Sequence, residues 1–372
     1  MNRNQYAFLE LVKAGLWECE VRSLHYEDVD FSQVYQLSQE QSAVGIVLAG
    51  LERISVKPPQ DLLLQWIGEV QVIEQKNIAM NAFIERLIDR LRKADIYTLL
   101  VKGQGIAQCY INPKWRSAGD VDLLLSDNNY KKAILLLSQF ASSVDEEDDY
   151  NQHIAMSIYG WTVELHGTLR SKLWQSIDRE LDKVQNAVFY EGKVRSWMNG
   201  NTQVFLPAPD EDVVFVFSHI LQHFYKEGIG LRQVCDWCRL LWKNKDSLNQ
   251  KLLESRIRKA GIMTEWKAFA ALSVVYLGMP TEAMPLYSDG KKWSQKADKV
   301  MGFILETGNF GHNRDYSYQK KYPYIIYKAI SFWKHLKDGA FFFSIFPLDS
   351  IKVTWGRMVL GVSVVLQGKR HE

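Results

Sequence analysis

Residues 119–125 read Gly-Asp-Val-Asp-Leu-Leu-Leu, an apolar run into which two carboxylates, Asp120 and Asp122, are set one residue apart. A strand repeats every two residues, so such a run is a strand with both acids on one face, roughly 6 to 7 Å apart along the backbone. Two like charges held that close raise each other's proton affinity unless a cation relieves them. A hard divalent ion such as Mg²⁺, which takes oxygen ligands, would do so. The alternative is a strand end carrying two solvated acids.

The sequence on either side is helical in pattern. Between Gln5 and about Ala94 the apolar positions Phe8, Leu9, Leu11, Val12 and Leu16, then Val44 to Leu51, then Leu62 to Leu91 recur at helical spacing, with Pro58-Pro59 as the breakpoint. The period changes at Ile96. Ile96–Val101 predicts a short buried strand ending at Lys102-Gly-Gln-Gly105, followed by a short helix over Ile106–Tyr110 that Pro113 closes. Val121–Leu125 is the next strand. Asn128–Phe140 predicts a helix with Ile134, Leu135 and Leu137 inward, and the acidic run 145–149 a solvated loop. His153–Tyr159 and Trp161–His166 flank Gly160 as a hairpin, and Val204–Leu206 adds a last edge strand. After Asp210, stripes over 213–224, 231–242, 252–257, 266–277 and 297–305 return the chain to helix. The expected fold class is α+β (mixed α/β). Residues 96–208 would form a small mixed sheet with helices, between all-helical regions at 1–95 and 209–372.

With 47% apolar and 24% charged residues the 372-residue chain has a globular balance, and 45 basic against 43 acidic residues leave a net charge of +2. No global charge recruits nucleic acid or an anionic membrane. The 12 Trp, 17 Tyr and 17 Phe follow helical stripes, so nucleic acid is not an expected partner, and the Lys-Lys-Tyr segment 316–327 is the best local exception. Met1 to Phe8 shows no secretion signal, and four cysteines, Cys19, Cys109, Cys235 and Cys238, suit a reducing compartment; a cytoplasmic location is expected. The apolar stretches 340–347 and 358–366 are too short to span a bilayer. The first, with Phe341, Phe342, Phe343, Ile345 and Phe346, either touches a membrane surface or packs against a neighbouring helix.

Several other residues point at the acid pair. Glu164 and His166 share one face of the hairpin strand, and His153 lies on its partner. Glu164 completes a three-carboxylate set of the kind that holds one or two Mg²⁺ ions near a phosphoryl group. Gly103 and Gly105 sit where a strand turns into a helix, which lets backbone amides approach phosphate oxygens, with Lys102 as a point charge. Arg116 lies in a loop that reaches the phosphates, or else anchors that loop by a salt bridge. His219 and His223 share a helical face, and Arg232 and Asp236 are an i,i+4 pair. With Cys235 and Cys238, the two histidines also make the ligand inventory of a zinc site, although both pairs lie in helices; small core residues are the other reading of the cysteines.

Leu100-Val-Lys-Gly-Gln-Gly-Ile-Ala-Gln-Cys-Tyr110, Pro113, Arg116, Asp120-Val-Asp-Leu-Leu124 and Val163-Glu-Leu-His166 together resemble the uncharacterised bacterial nucleotidyltransferases of the DNA polymerase β-like superfamily. The resemblance covers about 96–166 and runs more loosely to about 242. Lys102-Gly103-Gln104 stands where the superfamily usually has a Gly-Ser or Gly-Gly pair, so no serine hydroxyl is present there. The resemblance implies a nucleotidyltransferase-type sheet in which Asp120, Asp122 and Glu164 are catalytic and ligate Mg²⁺ (or Mn²⁺), with Glu164 also activating the acceptor hydroxyl. Lys102, Gly103, Gln104, Arg116, His166 and His223 would bind the nucleotide, and His223, Arg232 and Asp236 would act as lid or acceptor-binding residues. The implied reaction moves a nucleoside monophosphate from a nucleoside triphosphate to a hydroxyl of a small molecule, sugar or protein, with bacterial polysaccharide pathways as a setting. The alternatives are a nucleotide-binding regulatory module without turnover and a helical interaction scaffold.

Overall fold

In the computed structural model, residues 1–17, 28–148, 152–314, 321 and 324–352 are described. Cys19, the stretch 358–366 and most of 316–323 lie outside them. Four helices come first: α1 (Arg3–Trp17), α2 (Phe31–Glu40), α3 (Val44–Leu51) and α4 (Gln60–Lys93). Helices α1 and α3 touch backbone to backbone. A Cβ on Gly15 would fall 1.8 Å from the Ile46 carbonyl oxygen, and one on Gly50 2.0 Å from that of Leu11, so only glycine permits this approach. Helix α4 starts directly after Pro59, as the double proline predicts, and its 34 residues run about 51 Å. Its first half buries Trp66 and Val70 among the helices. Its second half lays Met80, Phe83, Ile84, Leu87 and Leu91 on a sheet.

That sheet is built from β1 (Leu99–Val101), β2 (Asp120–Leu124), β3 (Ala141–Val144), β4 (His153–Ile158) and β5 (Trp161–His166), in the order β1-β2-β5-β4-β3. Only β2 and β5 run parallel. Between β1 and β2 lie the one-turn helix α5 (Gly103–Ala107) and a 3₁₀ turn at Pro113–Trp115; α6 (Asp127–Leu137) follows β2. Val121, Leu123, Ile154, Met156, Ile158, Val163 and Leu165 point to one face, where α4 and α6 cover them. The alternate residues, Asp120, Asp122, Glu164, His166 and His153, therefore share the opposite face, as the period of two requires. The same sheet thus makes half a core and half a site.

The chain continues through α7 (Gln175–Tyr190), the hairpin β6 (Val194–Asn199) and β7 (Thr202–Pro207), and then α8 (Pro209–Lys226), α9 (Leu231–Asn244), α10 (Gln250–Ala260), α11 (Met263–Leu277), α12 (Lys291–Thr307) and α13 (Tyr324–Ile345). One buried cluster draws on α1, α3, α7 to α12 and Phe346, so N- and C-terminal helices share a core.

Four expectations change. Val204–Leu206 does not edge the main sheet but pairs with β6 in a two-stranded sheet of its own, because Val204 and Leu206 pack beneath β1 and α4 instead of extending the ladder. The helix expected at 106–110 begins at Gly103, three residues earlier, where positive φ at Lys102 and Gly103 turns the chain out of β1. Leu135 is 71% exposed; Tyr130, Ala133 and Leu137 make the inward stripe of α6. Helix α7 was not anticipated, although Ile177, Leu181, Val184 and Val188 repeat at helical spacing. In 340–347, Phe342, Ile345 and Phe346 are buried, with the Phe342 ring 5.1 Å from Phe224 and 5.3 Å from Phe303, while Phe343 is exposed. No helix among the described residues is long and apolar enough to cross a membrane.

Candidate active site

Register builds the site. Asp122 pairs with Glu164 across the parallel β2–β5 ladder, and Asp120 precedes it by two on the same face. Carboxylate oxygens of Asp120, Asp122 and Glu164 consequently lie within 4.8 Å of one another. The apolar neighbours Val121, Leu123, Val163 and Leu165 are fixed in the core beneath, so slipping one residue would bury the acids and expose that core.

Lys102 comes to the acids from the turn after β1, with φ +55°, outside the usual range for a residue bearing a Cβ. Its Nζ lies 2.7 Å from Asp122 Oδ1, and His166 Nε2 lies 2.9 Å from the same oxygen. Glu164 Oε2 is 3.2 Å from His153 Nε2 and 3.6 Å from His166 Nε2. Burial opposes the charge on Lys102, but Asp122, Glu164 and Asp120 outweigh it and hold the ammonium above its ordinary range. His166 is raised in the same way: burial opposes its charge, and hydrogen bonds to Asp122 and Glu164 prevail. The charge of Asp122, with burial, raises Asp120. Burial would raise Glu164 as well, but His153, His166 and Lys102 together hold it far below the carboxylate range.

Asp120 and Asp122 open on a small cleft of about 70 Å³, below the ~300–1,000 Å³ typical of small-molecule sites, and Glu164 lies beside its lining. Lys102, Gly103, Gly119, Asp120 and Asp122 form one wall. The facing wall comes from α8 and α9, with Val216, His219, Ile220, Arg232, Gln233 and Asp236, and Phe310 closes one end. Gly103 has φ +39°, which favours glycine at the turn that brings its backbone to the cleft.

Arg116 also lines this cleft, and it is locked. Its Nε and Nη2 each donate to Asp236 at 2.8 Å, and Tyr110 donates its phenol to Asp236 Oδ1 at 2.8 Å. The loop-anchoring alternative thus describes its contacts. Arg232, expected to pair with Asp236, is 3.6 Å from it and donates to the Ser117 carbonyl at 3.2 Å; its buried Nε meets no hydrogen-bond partner. Two guanidinium groups share one carboxylate, so this wall carries excess positive charge. Burial, then the neighbouring Arg116, lowers the pKa of Arg232.

Gln104 turns away from the site. Its side chain is buried and donates to Asn77 Oδ1 at 2.7 Å, because β1 and α5 present it to α4. His223 is absent from the cleft lining and stands behind His219, with their Nε2 atoms 3.2 Å apart. Burial, with Lys102 and His223 nearby, pushes His219 well below the usual histidine range. Cys235 and Cys238 are fully buried on α9, and burial pushes the Cys238 thiol up to about 12. No metal-capable group of three or more side chains among the described residues includes a cysteine. The zinc alternative therefore has no geometric support.

Asn77 went unnoticed in the sequence. From α4 it donates to the carbonyls of Lys114 at 2.6 Å and Arg116 at 2.8 Å while accepting from Gln104, so one amide joins helix, loop and turn. The legible signal was a polar residue on an apolar stripe, between Val70 and Met80. Phe310, far off in sequence, gave none.

A model of the family described as "uncharacterised nucleotidyltransferase" matches residues 27–278. No curated protein and no solved structure matches the chain.

Proposed function

The chain belongs to this nucleotidyltransferase family, and on that premise we propose that it moves a nucleoside monophosphate from a nucleoside triphosphate to a hydroxyl acceptor with a divalent ion, Mg²⁺ or Mn²⁺. The observation that carries this reading is the β2–β5 register, which converges three carboxylates on the polar face of the sheet. The donor set fits a hard ion, since all three residues offer only oxygen when ionised. Asp120, Asp122 and Glu164 would hold it. When bound, such an ion neutralises phosphoryl oxygens and lowers the pKa of an acceptor hydroxyl.

The chain's own groups do the rest. Of the cations lining the cleft, Arg116 is taken up by Asp236, while Lys102 and Arg232 suit phosphate oxygens. Asp236 fixes Arg116 and steadies the wall that carries Arg232. Lys102 and His166, 2.7 and 2.9 Å from Asp122 Oδ1, hold that carboxylate in place. Glu164, held between His153 at 3.2 Å and His166 at 3.6 Å and within 4.8 Å of Asp120 and Asp122, is assigned to ligation. Gln104 contributes no side chain to the nucleotide. A sugar, small molecule or protein would supply the hydroxyl, in a bacterial cytoplasmic setting.

One contact favours the second reading, a nucleotide-binding regulatory module without turnover: Lys102 already neutralises Asp122 at 2.7 Å. Calorimetric titration of each nucleoside triphosphate, with and without Mg²⁺, tests the proposal on the unmodified chain and on Asp122→Asn. Mg²⁺ is expected to strengthen binding at least about tenfold, or ~1.4 kcal/mol, and Asp122→Asn to remove that gain. Binding indifferent to Mg²⁺ and unchanged in the variant overturns the catalytic reading. Pyrophosphate release over a panel of acceptors then separates enzyme from regulatory module.

A further inference from the structure

Beside the three carboxylates stands a second set of donors with a different chemistry. His153 and His166 are directly opposite each other in the antiparallel β4–β5 ladder, and Glu164 lies two residues before His166 on the same face. Their ligand atoms all fall within 4.8 Å of one another. Glu164 Oε2 is the shared centre, 3.2 Å from His153 Nε2 and 3.6 Å from His166 Nε2. A metal with bonds of about 2.0–2.2 Å separates neighbouring ligand atoms by roughly 3.0–3.6 Å. Both spacings match that edge without moving the backbone, and adjacent paired strands make a stiff mount for the three side chains.

From this geometry we propose that His153, Glu164 and His166 form a binding site for a borderline divalent transition ion, Zn²⁺ above all. Two imidazoles and one carboxylate select such an ion over Mg²⁺, which prefers oxygen throughout. The side chains of His153, Glu164 and His166 are 34%, 25% and 17% exposed, so the ion reaches them from solvent and keeps positions open for water. Asp122 Oδ1 lies 2.9 Å from His166 Nε2, a contact that a metal bound at that nitrogen would replace, and Lys102 at 2.7 Å keeps that carboxylate paired.

Glu164 belongs to both sets. A Zn²⁺ ion drawing Glu164 toward the histidines withdraws it from Asp120 and Asp122, so the two ions weaken each other's binding by the same factor. Only this competition rests on the proposed function; the Zn²⁺ site itself does not. The site would make a hard-metal centre sensitive to a transition ion.

The test titrates Zn²⁺ alone, by calorimetry, into the full chain and into two variants. His153→Gln removes an imidazole while leaving a donor for Glu164, and Asp120→Asn alters only the carboxylate set. Expected are one Zn²⁺ site in the unmodified chain, at least about tenfold weaker binding in His153→Gln, and little change in Asp120→Asn. Added Mg²⁺ should weaken Zn²⁺ binding to the unmodified chain. Absence of Zn²⁺ binding overturns the proposal. So does binding lost in Asp120→Asn and kept in His153→Gln, an outcome that puts the ion among the carboxylates and leaves the proposed function standing. Co²⁺ bound to the unmodified chain gives a readout free of variants. An intense visible band of a four- or five-coordinate ion supports the histidine site, and the faint band of six oxygen ligands refutes it.

Discussion

Replacing Asp236 with Ala should lower stability far more than a surface substitution, because two buried cations depend on it. Asp236 is 4% exposed and Arg116 is 4% exposed, and the pair is joined by two 2.8 Å hydrogen bonds, with Tyr110 a third donor at 2.8 Å. Removing one partner of such a pair leaves an uncompensated buried charge, at a cost of about 3–5 kcal/mol. For 372 residues, an unfolding entropy of ~2.1 cal/mol/K per residue gives about 0.8 kcal/mol/K, so Tm should fall by about 4–6 °C. The double variant Arg116→Met/Asp236→Leu should recover much of the loss, since an apolar pair of similar volume is often neutral where an ion pair was buried. The singles Arg116→Met and Asp236→Leu and this double, followed by differential scanning calorimetry, form a cycle whose coupling should exceed about 1 kcal/mol. Asp236→Ala melting within about 1 °C of the unmodified chain would refute the reasoning, as would a double whose loss equals the sum of the singles.

Two further outcomes follow from particular contacts. Glu265 is fully buried, and burial together with nearby Asp349 pushes its carboxyl up to about 8 from an ordinary 4.5, although Tyr225 donates to it at 2.9 Å. The native state then binds more protons than the unfolded chain between those values, so stability falls as pH rises from about 4.5 through about 8, by at most ~4–5 kcal/mol. Melting temperatures at pH 5.5 and 8.5 should show this slope, and Glu265→Gln should flatten it; an equal slope in the variant removes Glu265 as the cause. Gly50→Ala sets a methyl 2.0 Å from the Leu11 carbonyl oxygen, where neither backbone can yield cheaply, and should cost about 3 kcal/mol or more in urea denaturation.

The acids were readable early because a strand's period of two is rigid: once Val121 and Leu123 are core, Asp120 and Asp122 must share the other face. Glu164 and His166 followed from the same rule on a second strand. Helices with clean apolar stripes, such as α8 and α9, were equally plain. The readings that failed depend on what packs against a segment. Gln104 looked like a phosphate contact until α4 supplied Asn77 as its partner. Val204–Leu206 has the composition of an edge strand, but its apolar face is claimed by the core under β1 and α4. Leu135 is as apolar as Leu137, and only the position of α6 on the sheet leaves it in water.

Alone, the sequence determined the α+β class, the helical flanks and the face on which three carboxylates and two histidines would lie, because local periodicity dictates which side chains share a side. It did not determine which of those groups meet. The parallel pairing of β2 with β5 set Asp122 against Glu164, and the packing of α8 and α9 over the polar face turned a row of acids into a cleft with Arg232 and His219 opposite. The site's contacts join residues far apart in sequence: Tyr110 and Asp236, hydrogen-bonded to each other, are 126 positions apart. Strand order and helix docking, which bury apolar surface drawn from the whole chain, decide them.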